Sequence, residues 1–569
     1  MICEKRKPAC YGAFLMQLRP YQIEAIDSTL EAWRHDQALL GVAATGLGKT
    51  VLFASILARH PGRTIVVAHR EELIFQAAKT IRSVTGLDPD IEMAELKANE
   101  HGLHGKARVI ISTIQTQKAG ANGGRMTRFD PSEFGLLVVD EAHHAVASSY
   151  RKVIEHYRAN KNLRVLGVTA TPDRADETAL GRVFDSVAFE YDIRFGISDG
   201  WLVPVYQNMV HVDGLDLSAV RTTAGDLNGA DLARVMEYER NLLEIASPTI
   251  ELTDGRKTLI FAASLAHAER LCEILNRYKS GCARWVHGKT PKEDRRQLLQ
   301  DYAKRQFQFL VNVGVATEGF DDPSIEVVVM ARPTKSRALY AQMIGRGTRP
   351  LPGVVDDPDM FGSALMRRDA IAASAKTQIE VIDFVGNSGR HKLVSSADIL
   401  GGNYADEVIE RARESVQSSP GTSTDMLQAL SAAEKELQEE REAVKRAEAA
   451  KRARLIASAK YRTTAIDPFD VFGLMPWREK AWDKGRPLTE RMIALLEKQG
   501  VQTDGLSFAQ AKQLIAEITS RWQDGRCSYR QARLLAQHGL PTDVPRNVAS
   551  ELIGDLKNAR RSKQTAMRY

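Results

Sequence analysis

Two short motifs contain the residue types needed to bind a nucleoside triphosphate. The first occupies residues 43–50 and reads A-A-T-G-L-G-K-T, with Ala43 at a position where the common pattern has glycine. Such a turn opens a helix and directs backbone N–H groups at phosphate oxygens, while its lysine neutralises phosphate charge and its threonine hydroxyl binds Mg²⁺. The predicted nucleotide-binding residues of this loop are Thr45, Gly46, Gly48, Lys49 and Thr50, and Thr50 is also a predicted metal ligand.

The second motif places two carboxylates directly after an apolar run. Residues 136–139 are apolar and lead into Asp140-Glu141-Ala142-His143. The carboxyl end of a buried strand is where α/β sheets bind ligands. We therefore predict that Asp140 binds Mg²⁺ beside the nucleotide and that Glu141 polarises the attacking water.

Further motifs follow in chain order, mostly at the ends of apolar runs. Upstream, L-R-P-Y-Q ends in Gln22, which is suited to read the adenine edge. The others are V-A-H-R-E at 67–71, S-T-I-Q-T at 112–116, T-A-T-P at 169–172, T-E-G-F-D at 317–321 and Q-M-I-G-R-G-T-R at 342–349.

This string of motifs, covering roughly residues 18–387, resembles the superfamily 2 helicases and translocases of the DEAH type. It is most similar to the group that contains the UvsW, RadD and XPB-like helicases and the motor subunits of restriction enzymes. The resemblance implies two tandem RecA-like domains, ATP and Mg²⁺ as cofactors, and nucleic acid as partner, with DNA favoured over RNA.

The resemblance also implies roles for individual residues. Arg346 and Arg349 would be arginine fingers with Gln342 beside them, and such a finger is worth ~10³–10⁵ in rate. The implied coupling residues are His143, Thr169 and Thr171. The implied nucleic-acid contacts are Arg70, Thr113, Gln115 and Thr317.

Four of these residues also have a purely structural interpretation. Arg70 could be a solvated loop arginine, His143 a core histidine, and Thr169 and Thr171 could end a strand and cap the next helix. We favour the functional interpretation because each residue stands at its place in the string of motifs.

Composition bounds the classes of protein that fit. The 569 residues predict three or more domains at about 100–200 residues each, and 43% hydrophobic with 26% charged residues is typical of a soluble globular protein. The net charge of +6 permits nucleic-acid binding. The sequence contains no run of eighteen apolar residues, so we expect no membrane span.

The five cysteines form no C-x-x-C pair, which argues against a zinc ribbon or disulfide scaffold and favours a reducing cytoplasm. The spacing of His101 and His104 resembles a metal motif, but without further ligands we interpret it as a loop.

Alternating apolar strands and amphipathic helices predict an α/β fold, with parallel-sheet motor domains followed by an α-helical C-terminal region. The predicted divisions are a disordered extension at 1–15, RecA-like motor domain 1 at 16–190, a connecting segment at 191–245, RecA-like motor domain 2 at 246–388, a linker at 389–424, a charged helix at 425–458 and a helical accessory module at 459–569.

Two features of the C-terminal region leave alternatives open. Leu430, Leu437 and Val444 fall seven apart in the charged helix, which fits a short coiled coil or, in our preferred interpretation, a helix packed on its own chain. Residues 488–518 and 527–556 both read as helix, glycine-containing turn and helix. This weak repeat could bind nucleic acid or a protein partner, or act as a structural cap.

The sequence suggests three candidate functions for the protein. We favour an ATP-dependent nucleic-acid helicase or translocase that acts as a monomer on DNA by unwinding, branch migration or remodelling. The alternative is the motor subunit of a restriction-type complex that moves duplex DNA for a separate nuclease. A scaffold with a decayed ATPase is disfavoured because the predicted catalytic residues Lys49, Asp140, Glu141, Gln342, Arg346 and Arg349 are all present.

Overall fold

The computed structural model describes residues 17–99, 105–120, 124–170, 179–223, 225–315, 320–357, 362–389, 391–402, 404–418, 422–456, 467–480 and 483–566. These residues form two compact units, one drawn from 1–402 with 414–427 and the other from 403–413 with 428–569. Four sequence predictions concern residues outside this part of the chain, namely those on the extension at 1–15, the segment 101–104, Thr171 and Thr317.

The first sheet of the larger unit is parallel in every described pair of strands. Its order among the described residues is β3-β4-β2-β5-β6-β1-β7. The strands are β1 (Ala38–Ala43), β2 (Arg63–Ala68), β3 (Asp90–Glu92), β4 (Val109–Thr113), β5 (Phe134–Asp140), β6 (Arg164–Thr169) and β7 (Ser186–Tyr191). Most are continuous apolar runs because helices cover both faces of a parallel sheet.

Helices α1 (Pro20–Ala32), α2 (Lys49–Arg59), α3 (Glu71–Thr85), α4 (Ile114–Lys118), α5 (Ser148–Tyr157) and α6 (Ile193–Ser198) accompany this sheet. Short 3₁₀ turns span Arg125–Arg128, Pro131–Glu133 and Ala142–Val146. Helix α3 shows why they pack, since Ile74, Ile81 and Val84 recur at helical spacing and are fully buried. Burial of each such side chain contributes about 1.5–3 kcal/mol.

The strand register brings the predicted motif residues to one edge of the first sheet. Asp140 pairs with Val168, and Val42 pairs with Thr169. On the other side of β5, Ala68 pairs with Thr113. The carboxyl ends of β1, β2, β4, β5 and β6 therefore form a single ligand-binding edge.

The second sheet has the order β12-β13-β11-β14-β15-β8-β16 among the described residues. It is parallel except for the antiparallel pairing of β16 with β8. Its strands are β8 (Val205–Asp216), β11 (Thr258–Ala262), β12 (Ala283–His287), β13 (Phe309–Val313), β14 (Val327–Ala331), β15 (Ile379–Asn387) and β16 (Thr424–Asp425), and a separate hairpin joins β9 (Thr222–Thr223) to β10 (Asp226–Leu227). Its helices are α7 (Gly229–Met236), α8 (Glu239–Thr253), α9 (Leu265–Tyr278), α10 (Lys292–Ala303), α11 (Arg337–Gly345), α12 (Ala364–Ala372) and α13 (Ser396–Leu400).

The predicted connecting segment 191–245 contributes directly to this second sheet. Strand β8 lies inside it and pairs with β15 from Val205 opposite Ile379 onward. The sequence does not indicate that this strand belongs to the second sheet, because Gln207 and Asn208 interrupt its apolar pattern, although both are buried. The side-chain amide of Gln207 donates a hydrogen bond to Asp383 on β15.

The predicted linker 389–424 contains regular secondary structure. Helix α13, helix α14 (Asp406–Gln417) and the first residue of β16 lie within it. Val408, Ile409, Ala412 and Val416 are buried at helical spacing along α14.

The remaining helices are α15 (Met426–Ile456), α16 (Pro468–Phe472), α17 (Glu490–Gln499), α18 (Phe508–Gln523), α19 (Tyr529–Gln537) and α20 (Arg546–Ala566). Both halves of the predicted repeat have the expected form. Gly500 and Gly539 end α17 and α19 with φ of +85° and +67°, a left-handed conformation that favours glycine. Val444 of α15 is 58% exposed, whereas Leu430 is fully buried, so the heptad positions do not share one buried face.

The predicted fold class is therefore confirmed, with two parallel-dominated motor sheets followed by a helical region. In the part of the chain that the structure describes, every helix is too short or too polar to cross a membrane.

Candidate active site

The loop between β1 and α2 has the shape required of a phosphate-binding turn. Gly46 and Gly48 adopt φ of +93° and +76°, so side chains would strain the backbone there. Space is also limited, because a Cβ on Gly48 would lie 2.9 Å from Gln22 Nε2. The Tyr21 hydroxyl donates a 2.7 Å hydrogen bond to the Leu47 carbonyl and ties α1 to the loop.

Lys49 at the start of α2 contacts the carboxylate motif across the first sheet. Its Nζ donates to Glu141 Oε1 at 2.6 Å. Glu141 has φ of +48°, which is strained for a residue other than glycine and turns the chain sharply away from β5. Its Oε2 is buried and receives no hydrogen bond from the described protein atoms, with His143 Nδ1 at 3.5 Å. One oxygen of Glu141 is therefore suited to accept a proton from a water molecule.

The electrostatics of the two carboxylates differ. Burial and the negative charge of Glu141 raise the pKa of Asp140 to about 6. Burial also acts to raise the pKa of Glu141, but the charges of Lys49 and His143 outweigh it and lower the pKa to about 2. Two buried carboxylates thus share one ammonium group, and a further cation would be stabilised beside Asp140. Thr50 lines the same cavity, so the oxygen donors present fit a Mg²⁺ ion bound largely through a nucleotide.

His143 links this carboxylate to the next strand. Its Nδ1 lies 3.2 Å from Thr169 Oγ1 at the end of β6. Thr169 is fully buried, and its neighbour Thr171 lies outside the described residues. The structure therefore brings together two of the three residues predicted to couple the site to domain motion.

The second motor domain supplies basic side chains to the same cavity. Arg346 and Arg349 line a cavity of about 440 Å³ together with Lys49, Asp140 and Glu141. Arg346 Nη1 donates to the Phe320 carbonyl at 2.5 Å, and Arg349 forms an ion pair with Asp321.

The third residue predicted beside these arginines is placed differently. Gln342, on α11, is only 4% exposed and is not among the residues that line the cavity. The structure therefore brings Arg346 and Arg349, but not Gln342, to the cavity wall.

The two domains approach each other closely at this point. A Cβ on Gly345, the last residue of α11, would overlap the side chain of Thr45 in the phosphate loop. A Cβ on Gly46 would lie 2.8 Å from Leu202 and 3.3 Å from Arg349 Cγ. The backbone N–H of Val203 donates to the Thr348 carbonyl at 2.8 Å, which adds a main-chain connection.

Other cavity residues escaped the sequence analysis. Gln22, which the sequence predicts to read the adenine edge, lines the cavity, and its Oε1 accepts a 3.0 Å hydrogen bond from the backbone N–H of Arg19. Leu73, Gln76 and Thr80 line it from α3. Their spacing of three and four residues is the one signal that could have identified this helix face.

Lys376 is a further residue that the sequence did not indicate. It is 3% exposed, and its Nζ donates to the carbonyls of Pro323, Gly347 and Arg349 at 2.6, 2.6 and 2.8 Å. Burial lowers the pKa of Lys376 to about 7. All three N–H groups of its charged form have acceptors, so this lysine fixes the backbone that carries Arg349. An isolated lysine between a helix and a strand gives no sequence signal for this role.

The residues predicted to contact nucleic acid have mixed environments. Arg70 Nη1 donates to the Gly314 carbonyl of the second domain at 2.8 Å, and the exposed Gln115 donates to the His69 carbonyl at 3.1 Å. Thr113 is 7% exposed, and its hydroxyl accepts from the Thr116 N–H at the start of α4. Arg70 and Gln115 thus lie near the domain boundary, Thr113 acts as a helix cap, and Thr317 lies outside the described residues.

Two family models match the chain in the regions of the two motor domains. Residues 15–174 match "Type III restriction enzyme, res subunit", and residues 239–350 match "Helicase conserved C-terminal domain". With the fold and the string of motifs, these matches are consistent with a placement among the superfamily 2 helicases and translocases.

Curated relatives agree with this placement. The chain is 32% identical over 359 residues to "Putative ATP-dependent helicase IRC3" of Saccharomyces cerevisiae, covering 60% of this chain and 50% of the relative. It is 30% identical to "Putative DNA 3'-5' helicase Rad25" of Halobacterium salinarum, covering 59% and 52%. It is 27% identical to "Type I restriction enzyme EcoAI endonuclease subunit" of Escherichia coli, covering 58% and 44%. The matched part thus spans about half the length of these relatives.

We predict that Lys49→Ala and Glu141→Gln separate nucleotide binding from turnover. Lys49→Ala should weaken ATP binding and abolish hydrolysis, because it removes the ammonium group of the phosphate loop. Glu141→Gln should retain binding but lose hydrolysis, because an amide cannot accept the proton of water. Titration with a fluorescent ATP analogue and a phosphate-release assay measure the two effects. Near-normal hydrolysis in either variant would show that the assignment is wrong.

We also predict that Lys376→Met lowers kcat by at least about tenfold with little change in ATP affinity, because the backbone at Gly347 and Arg349 loses its anchor. Lys304→Met, a change of an exposed lysine of the same domain, is the matched control. The measurement is steady-state ATPase kinetics alongside nucleotide binding. Equal kcat in Lys376→Met and the control would contradict the anchoring role.

Proposed function

We propose that this protein is an ATP-dependent nucleic-acid helicase or translocase that acts on DNA. The observation that supports this most strongly is the composition of one cavity, in which Lys49, Asp140 and Glu141 of the first domain face Arg346 and Arg349 of the second. A site divided in this way couples the chemistry to the relative position of the domains, as a motor requires.

The residues would share the chemistry as follows. The backbone N–H groups of the phosphate loop and Lys49 bind and orient the triphosphate. Thr50 and Asp140 hold Mg²⁺, which neutralises phosphate charge. Glu141 Oε2 accepts the proton of the attacking water, and Arg346 and Arg349 stabilise the charge that develops on the phosphate oxygens.

Phosphate binding would also release contacts within the cavity. Lys49 would exchange Glu141 Oε1 for phosphate oxygens, which frees the carboxylate to act as a base. Arg349 would leave Asp321, the last residue of the T-E-G-F-D motif that is predicted to meet nucleic acid. This exchange offers a direct connection between nucleotide and nucleic acid.

Two further contacts would couple the ATP site to the predicted nucleic-acid contacts. His143 joins Glu141 to Thr169 at the edge of the first sheet. Arg70 and Gly314 join the two domains near the predicted nucleic-acid contacts. Binding through the sugar-phosphate backbone would make the activity largely independent of base sequence.

DNA is the proposed substrate because one relative is named for DNA helicase activity and another for a restriction enzyme.

A second candidate function is a motor that moves duplex DNA for a separate nuclease. The name of the restriction-enzyme relative and the family match of residues 15–174 favour it. Strand separation distinguishes the two candidates, since a helicase must unwind the duplex and a motor that only moves along it need not. A monomeric state, a substrate-selecting role for the helical module and a cytoplasmic location remain predictions.

The test of the proposed function is the ATPase rate measured with single-stranded DNA, duplex DNA, forked DNA and single-stranded RNA as stimulators. The proposal expects at least one DNA to raise kcat well above the basal rate and above the rate with RNA. Displacement of a labelled strand from the forked DNA would favour the helicase. Displacement of a triplex-forming strand from duplex DNA without unwinding would favour the restriction-type motor. No stimulation by any DNA would overturn the proposal.

We predict that Arg346→Ala and Arg349→Ala each lower kcat by about 10³-fold or more while changing nucleotide affinity much less, because the contact strengthens chiefly in the transition state. Arg277→Ala, an exposed arginine on α9, is the control and should keep the native rate. Stimulated ATPase rates and nucleotide Kd values measure the effect. A variant that loses nucleotide affinity but retains kcat would rule out a finger role for that residue.

A further inference from the structure

A second cavity lies wholly within the helical unit and shares no lining residue with the active-site cavity. Its volume is about 440 Å³, and it is bounded by the ends of α17 and α18 and the beginnings of α19 and α20. The side chains that matter for its chemistry are Lys498, Trp522, Arg526, Arg530 and Arg546. No acidic side chain is among the residues that line it.

The charge of this cavity is largely uncompensated. Lys498, Arg530 and Arg546 are exposed, and none forms an ion pair with an acidic residue in the described part of the chain. Arg526 differs, since it pairs with Asp524 at 2.8 Å and Asp543 at 3.2 Å. Three like charges therefore converge on one concave surface, which favours a polyanionic ligand.

Trp522 adds an aromatic surface to these cations. Its side chain is 48% exposed in the last turn of α18, although tryptophan is usually well buried. Its position is fixed by the preceding residue, because Arg521 is 2% exposed and donates to Glu517 at 2.8 Å and to the Thr542 carbonyl at 2.9 Å. Arg521 also stacks on the Phe472 ring, with its guanidinium carbon 4.5 Å from the centroid. A rigid support thus presents the indole at the cavity.

Single-stranded nucleic acid matches this combination. Its unpaired bases expose faces that stack on aromatic side chains, and its phosphates bind lysine and arginine. In a duplex the base faces are covered by their neighbours, and an acidic peptide would need the cations but no flat aromatic surface. The volume is within the range of about 300–1,000 Å³ found for ligand pockets.

We propose that this cavity binds an unpaired nucleotide of single-stranded nucleic acid, with Trp522 stacked on the base and Lys498, Arg530 and Arg546 contacting the adjacent phosphates. The inference rests on the proposed function only in taking nucleic acid as the partner. It gives the helical unit a strand-binding site of its own, separate from the contacts of the motor domains.

The first test is photocrosslinking of the full chain to single-stranded DNA that contains 5-iodouracil, with the crosslinked peptides identified by mass spectrometry. The proposal expects a crosslink at Trp522 that is lost in Trp522→Ala, retained in Trp522→Phe and unaffected by Lys512→Ala, an exposed lysine of α18 outside the cavity. Crosslinks confined to the motor domains of the native chain would overturn it.

The second test measures affinity for the same DNA against salt concentration. Trp522→Ala should weaken binding about 5- to 150-fold, the range for loss of one stacked base. The triple variant Lys498→Ala, Arg530→Ala, Arg546→Ala should reduce the slope of log K against log salt by about 2, or about 0.7 for each phosphate contact. Circular dichroism of each variant verifies that its helices are intact.

The remaining outcomes decide what occupies the site. An unchanged slope in the folded triple variant would overturn the proposal, as would a polyaspartate peptide that binds with the same dependence on these residues. A native chain that crosslinks at Trp522 but shows no DNA-stimulated ATPase would support the inference and overturn the proposed function. DNA-stimulated ATPase activity without the crosslink would support the proposed function and overturn the inference about this cavity.

Discussion

The active site depends on the close packing of the phosphate loop against residues 345–349 of the second motor domain. Glycine is required on both sides of this contact, because a Cβ on Gly345 would overlap Thr45 and a Cβ on Gly46 would crowd Leu202 and Arg349. Main-chain bonding between Val203 and Thr348 supports the contact, and Lys376 holds the carbonyls of Gly347 and Arg349 from behind. Small displacements of one domain therefore move the arginines relative to the phosphate loop.

Charge is balanced within this contact by groups that also have chemical roles. Lys49 neutralises Glu141, and Arg349 pairs with Asp321. The negative charge of a triphosphate can compete with Glu141 for Lys49 and with Asp321 for Arg349. Binding of the triphosphate would therefore also rearrange the ion pairs of the site. The link from Glu141 through His143 to Thr169 extends this exchange to the edge of the sheet. In this account, domain motion and hydrolysis are coupled by the same few ion pairs and hydrogen bonds.

Sequence analysis predicted those parts of the molecule that follow from local pattern. The apolar run at 136–139 corresponds to the central part of β5, and motif residues that follow such strands meet at one edge because parallel strands share a direction. Membership of β8 in the second sheet was not predicted, because its buried Gln207 is satisfied by Asp383, a partner far away in the chain. Lys376 was missed for the same reason, since its three carbonyl acceptors come from separate segments. Tertiary hydrogen bonds of this kind leave no periodic signal in the sequence.

The central claim, that the catalytic site is completed across the two motor domains, is tested most directly by affinity for a transition-state analogue. The measurement compares the Kd of ADP with and without aluminium fluoride, in the presence of Mg²⁺ and single-stranded DNA, for the native chain and for a variant with both Arg346 and Arg349 changed to Ala. The account predicts that aluminium fluoride strongly tightens binding to the native chain and that the double variant loses most of this gain while binding ADP alone almost normally. Equal tightening in the native chain and the double variant would contradict the account, because the second domain would then contribute nothing to the transition state.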